Sequence, residues 1–176
     1  MAAARAIMAR QGYAGMTMAA VAEEAGVTKP TLYLRFTGKE DLATAALAAL
    51  AASEPTLPLG NARSRLVAFL EHFRRSLGRP DGMALIGTLL AEERQHPELI
   101  GHFRTRILAP RRARLRALLE EGVTAGELGS GIDLDAAVNL LIGSFYARHL
   151  TGDPPDATWP ERVVSTVWNG VTSPTG

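Results

Sequence analysis

Residues 17–36 read TMAAVAEEAGVTKPTLYLRF, and their spacing decides the fold. Thr17 is placed to cap a first helix, its hydroxyl taking an otherwise orphaned amide of the first turn. Met18, Val21, Ala22 and Ala25 follow at i, i+3, i+4 and i+7, one apolar face of a 3.6-residue period. Gly26 supplies the left-handed backbone that ends a helix, and Val27 turns back towards the core. Thr28 is placed to cap a second helix with Pro30 in its first turn, where a missing N–H costs nothing. Leu32 and Phe36 form the inner stripe of that helix, while Thr31, Tyr33 and Arg35 lie off it. Two short helices joined by a tight glycine turn fit the helix-turn-helix signature, whose second helix enters the DNA major groove.

Working outward, residues 12–42, GYAGMTMAAVAEEAGVTKPTLYLRFTGKEDL, closely resemble the N-terminal domain of TetR-family transcriptional regulators. The run combines the Gly-Tyr after the first helix, the Thr cap, a V-A-x-x-A-G-V turn, a T-L-Y-x-x-F recognition helix and a Lys-Glu-Asp-Leu helix start. The resemblance implies an all-α homodimer with a DNA-binding head and a helical body that binds a small effector. It also implies that Thr28, Lys29, Pro30, Thr31 and Tyr33 lie on the DNA-facing side. Lys39, Thr17 and the Tyr33 hydroxyl would then hold phosphates, fixing register without reading sequence. Lys29 and Thr31 are the best base readers, since Lys donates to guanine O6 and N7 and Thr offers its methyl to thymine. Arg35 replaces a histidine common at its place and reaches for a base or a phosphate.

The global numbers allow this reading. The chain has 176 residues, 47% apolar and 21% charged, normal for a folded globular protein. The absence of cysteine excludes disulfide frameworks, thiolate zinc sites and cysteine nucleophiles. The start lacks the apolar core of a signal peptide and no apolar run approaches a membrane span, so a cytoplasmic protein is expected. Net charge is only +1, and residues 1–52 alone also carry +1, so a DNA-binding role rests on where the charges sit.

The expected fold class is all-α, about nine helices. A three-helix, homeodomain-like helix-turn-helix head spans residues 1–52, and an effector-binding and dimerisation body spans 53–176. Residues 1–11 form an alanine-rich helix with Ala3, Ile7 and Met8 inward, ended by Gly12. The family usually carries several more residues there, often basic, so no arm contacts to DNA are carried over. Thr37-Gly38-Lys39-Glu40 fits a capping box opening the helix that leaves the head. Lys39 opposes the helix dipole there, a conflict that an arriving phosphate relieves. SEPTLPLGN at 53–61 is a break. A stripe of Leu66, Phe69, Leu70, Phe73 and Leu77 marks the next helix, and residues 83–95 read as a central buried helix. A long helix follows His96-Pro97 to about residue 123, kinked or split by Pro110 near Leu108. Residues 134–150 are apolar on more than one face, and Thr158-Trp159-Pro160-Glu161 opens a last helix with another capping box.

That surplus apolar surface suggests a two-fold dimer interface, with Leu141, Phe145, Val164, Val167 and Trp168 as its candidates. The bland alternative makes residues 134–150 a core helix. Phe69, Phe73, Met83, Ile86, Leu90, Phe103, Ile107, Phe145, Tyr146 and His149 are candidates to line a mostly apolar effector pocket. The arginines at 104, 106, 111, 112, 114 and 116 read as a solvated face paired with Glu92, Glu93, Glu120 and Glu121, ahead of an anion site. The four histidines show no metal-ligand spacing, so no metal and no cofactor are expected, and no catalytic motif marks an enzyme. The sequence therefore reads as a DNA-binding transcriptional regulator, a repressor released from a palindromic operator by a small-molecule effector. A helical ligand-binding protein that has lost operator binding is the alternative.

Overall fold

The computed structural model describes residues 1–51 and 55–172, apart from the side chains of residues 50, 51, 171 and 172. The boundary expected between residues 52 and 53 lies outside the described residues. Ten α-helices follow in order: α1 (Ala2–Gly15), α2 (Met18–Glu24), α3 (Lys29–Tyr33), α4 (Lys39–Ala51), α5 (Ala62–Leu77), α6 (Gly82–Ala91), α7 (Pro97–Phe103), α8 (Ala109–Thr124), α9 (Leu134–Leu150) and α10 (Trp159–Thr172). A π-helical turn, Arg104–Leu108, joins α7 to α8. Residues 97–124 thus run as one helical path, which makes nine rods, and no strand occurs among the described residues. The fold is all-α.

The π turn is the form that the expected kink takes. Pro110 has no N–H to give and its ring crowds the carbonyl four residues back. The ladder widens by one residue just before it, and the Ala109 N–H donates to the Arg104 carbonyl.

The helices form two compact units, Met1–Glu54 with Ser76–Pro110 and Pro55–Arg75 with Arg111–Gly176. In the first, α1 packs on α2, α4 and α6, and α7 packs on α4 and α6. Its core holds Ile7, Met8, Tyr13, Met16, Leu42, Leu47, Leu85 and Leu99. Arg5 pairs with Asp81 at 3.3 Å, and the Thr88 hydroxyl donates to the Met8 carbonyl at 3.2 Å. Helix α6 is shorter and less buried than expected. Leu85 and Leu89 face the core, but Leu90 is 61% exposed, because its neighbours α1 and α7 meet one face only. At the start of α4 the carboxylate that reaches back is Asp41, not Glu40: it accepts from the Thr37 N–H at 2.9 Å. The Gly38 carbonyl takes the first helical bond, so the third helical position falls on Asp41.

In the second unit, Leu66, Phe69, Leu70 and Phe73 of α5, Leu115, Leu118 and Leu119 of α8, and the inner faces of α9 and α10 are buried. Arg63 pairs with Glu161 at 2.8 Å, Arg65 with Glu121, and Arg116 with Asp135 at 3.2 Å. The arginine run is paired only in part with the expected acids: in the first unit Arg104 meets Glu93 at 2.6 Å, and in the second Arg116 also meets Glu120 at 3.1 Å, whereas Arg112 donates to the Asn139 amide oxygen at 2.6 Å and Glu121 is taken by Arg65.

Candidate nucleic-acid interface

The turn between α2 and α3 is closed by two backbone bonds. The Gly26 N–H donates to the Glu23 carbonyl at 3.1 Å and the Val27 N–H to the Ala22 carbonyl at 3.0 Å. Gly26 adopts φ 64°, a conformation strained for any residue with a Cβ. Thr17 caps α2, its hydroxyl accepting from the Ala20 N–H at 3.1 Å. Thr28 occupies the cap position of α3 without a side-chain bond to the backbone. Pro30 removes the amide at the second helical position, and the Thr28 hydroxyl pairs with that of Thr31 at 2.9 Å.

Leu32 is buried and Phe36 half-buried against the core of the first unit, and this orients α3. Thr28, Lys29, Pro30, Thr31, Tyr33 and Arg35 are all exposed, as is Thr17. Arg10 and Glu24 form a forked pair across α1 and α2, with contacts of 2.8 and 3.3 Å, so neither charge stands alone. Lys29 and Arg35 bring positive charge to the α3 surface. Leu34, which the inner stripe did not claim, is 87% exposed beside them.

Lys39 is half-buried at the start of α4. Its ammonium donates to the Ala14 carbonyl at 3.2 Å and lies 4.2 Å above the Tyr13 ring. Tyr13 in turn meets the His96 ring edge-on, centroids 4.8 Å apart. Burial, with the carboxylates of Glu40, Glu98 and Glu92, pushes the Tyr13 phenol up to about 12. Glu40, His96 and Glu98 bring their donor atoms within 4.8 Å of one another, a convergence of distant segments that spacing does not reveal.

Two family models cover most of the chain: residues 1–46 match the bacterial regulatory proteins of the tetR family, and residues 57–167 the tetracyclin repressor-like C-terminal domain. The chain belongs to the TetR family. It is a DNA-binding transcriptional regulator. Across 171 residues it is 27% identical to the uncharacterized HTH-type transcriptional regulator YdeS of Bacillus subtilis, covering 96% of this chain and 86% of that one. It is 30% identical over 173 residues to the DNA-binding transcriptional repressor TetR of Mycobacteroides abscessus, covering 95% and 88%. The crystal structure of the TetR-family regulator SCO0332 superposes with a TM-score of 0.66 at 27% identity, covering 97% and 95%.

The remaining candidates of this TetR-family chain divide between the two units. In the first, Ile107 is buried, Met83, Ile86 and Phe103 are half-buried, and Leu90 is exposed. Phe103 and Ile107 meet Thr44, Leu47 and His102 at a cleft too narrow to admit a water molecule. The second unit gathers Tyr146 and Trp159 around Phe73 and Phe145, with ring centroids of the contacting pairs 5.3–6.5 Å apart, and Phe69 is buried in the same unit. The Trp159 indole N–H donates to the Ser144 hydroxyl at 3.2 Å. Burial raises the Tyr146 phenol above its ordinary value, opposed by the nearby Arg111. His149 is exposed.

Of the residues read as dimer-facing, Leu141, Phe145, Val164 and Val167 are buried within the single chain, and Trp168 packs on Gly122 of α8. These side chains fill the chain's own core. The large apolar residues that α9 leaves outside are Leu140 and Leu150, 61% and 83% exposed. Periodicity marks a helix as apolar on two sides without saying which side its own chain covers.

Proposed function

We propose that this protein is a one-component repressor, acting in the cytoplasm as a homodimer that sets two α3 helices on a near-palindromic operator. The observation that carries the reading is the α2–α3 unit: Leu32 anchored inward, with Lys29, Thr31, Tyr33 and Arg35 together on the exposed side. In this proposal Thr17, Lys39 and the Tyr33 hydroxyl hold phosphates, while Lys29 and Thr31 read bases. Thr28, Pro30 and Arg35 complete the surface. The two reading helices lie about one turn of B-DNA apart, roughly 34–36 Å or a multiple.

The effector proposal centres on the second unit, where Phe69, Phe73, Phe145 and Tyr146 offer an aromatic, largely apolar environment to a small molecule. To release DNA, that molecule must bind one spacing of the heads better than the other, since equal affinity shifts nothing. No catalytic step is assigned to the chain.

The test is selection from a random duplex library with the purified chain, followed by binding titrations. A recovered palindrome supports the regulator. Tyr33→Ala should then weaken all sequences alike, and Lys29→Ala should also relax base preference. Affinity for the wild-type protein should fall as salt rises, because phosphate contacts release counterions. A folded protein that enriches no duplex and binds DNA independently of salt returns the chain to the ligand-binding alternative.

A further inference from the structure

Leu34 stands at an unusual place for an exposed leucine. It follows Pro30 by four residues and Thr31 by three, and its N–H donates to the Pro30 carbonyl at 3.0 Å, so the three share one side of a continuous turn. The Thr31 hydroxyl is occupied by Thr28. The exposed side of α3 is therefore an apolar strip, the Pro30 ring and the Leu34 side chain with Thr31 between them, flanked by the cations Lys29 and Arg35. Leu34 at 87% exposure is more open than Tyr33 at 57%.

A leucine has nothing to offer a phosphate. What the major groove offers a leucine is the thymine 5-methyl group, the apolar feature that distinguishes T·A from the other pairs there. We propose that Leu34 is a specificity-determining residue that packs on a thymine methyl in each operator half-site, so that one position of each half-site is selected as A·T. This rests on the DNA-binding reading above and adds the base that one residue chooses.

The experiment begins with the duplex selected by the full-length chain. Each thymine of a half-site is replaced in turn by deoxyuridine, and its symmetry mate likewise, which deletes the methyl and leaves every hydrogen-bonding group in place. Affinities of the wild type and of Leu34→Ala are measured by fluorescence anisotropy at fixed salt. At one thymine per half-site the wild type should lose about fourfold per methyl, equivalent to ~0.8 kcal/mol. Leu34→Ala should bind thymine and uracil duplexes equally at that position while keeping the wild-type response elsewhere. The variant's melting temperature should be unchanged, since the side chain is exposed.

A uracil profile identical in the two proteins overturns the assignment, as does a uniform loss of affinity on all duplexes without a change in profile. These outcomes leave the regulator standing. Failure to enrich any duplex removes both readings together.

Discussion

Tyr13 lies at 1% exposure beneath the Lys39 ammonium, with Glu40, Glu92 and Glu98 acting on its hydroxyl. Its folded phenol titrates at about 12 against the ordinary 10.0. The stability this proton confers is fully present below the unfolded value. Above it the unfolded chain loses its proton first, so stability declines as pH rises from about 10 towards 12. Thermal melts across that window should show a steeper decline for the wild type than for Tyr13→Phe, which has no phenol to ionise. Parallel curves would mean that the phenol is not held protonated by its surroundings. Lys39 marks the limit of local reading at this scale. Its place at the start of α4 is readable from Thr37-Gly38-Lys39, but its partner is the Ala14 carbonyl, twenty-five positions away. Thr17 and Gly26, whose bonds are local, were fully legible; the uncovered Leu34 side chain was not, because exposure depends on what the rest of the chain fails to cover.

At the scale of the element, α6 carries two glycines with opposite physical roles. A Cβ on Gly82 would lie 2.3 Å from the Leu77 carbonyl oxygen, a clash with backbone that no rotamer relieves. Gly87 sits inside the same helix with nothing within 4 Å of that position. Gly82→Ala should cost about 3 kcal/mol and lower the melting temperature by roughly 6–12 °C. Gly87→Ala should raise stability by up to ~1 kcal/mol, since alanine restricts the unfolded chain and suits a helix. Equal effects of the two substitutions in calorimetry would show that the close approach at Gly82 is absent in solution. Pro110 announces an irregularity, yet a kink, a break and a widened turn are equally compatible with a proline, and the local sequence does not select among them.

For the whole molecule, the proposed dimer and the chain's own core compete for the same kind of residue. Leu140 and Leu141 are adjacent on α9, one 61% and the other 1% exposed. If α9 provides the dimer face, Leu140→Glu should yield a folded monomer in sedimentation, its melt close to that of the wild type diluted until the dimer dissociates. Leu141→Ala should leave the association state intact and lose about 2–5 kcal/mol of stability through the cavity it creates. A Leu140→Glu protein that remains dimeric would move the interface off this face of α9.

The sequence by itself determined the all-α class, the helix-turn-helix with its glycine closure, the inward Leu32 and the exposed Lys29, Thr31 and Tyr33. Each follows from residues within four or five positions of one another, where periodicity, capping and backbone freedom act directly. Tertiary structure alone decided that Leu141, Phe145 and Val164 belong to the core, that Lys39 rests on Tyr13, that Phe73, Phe145, Tyr146 and Trp159 gather in one cluster, and that Leu34 is left uncovered. Those outcomes depend on which surfaces meet across long separations in the chain, and local patterning carries no information about what a face will be packed against.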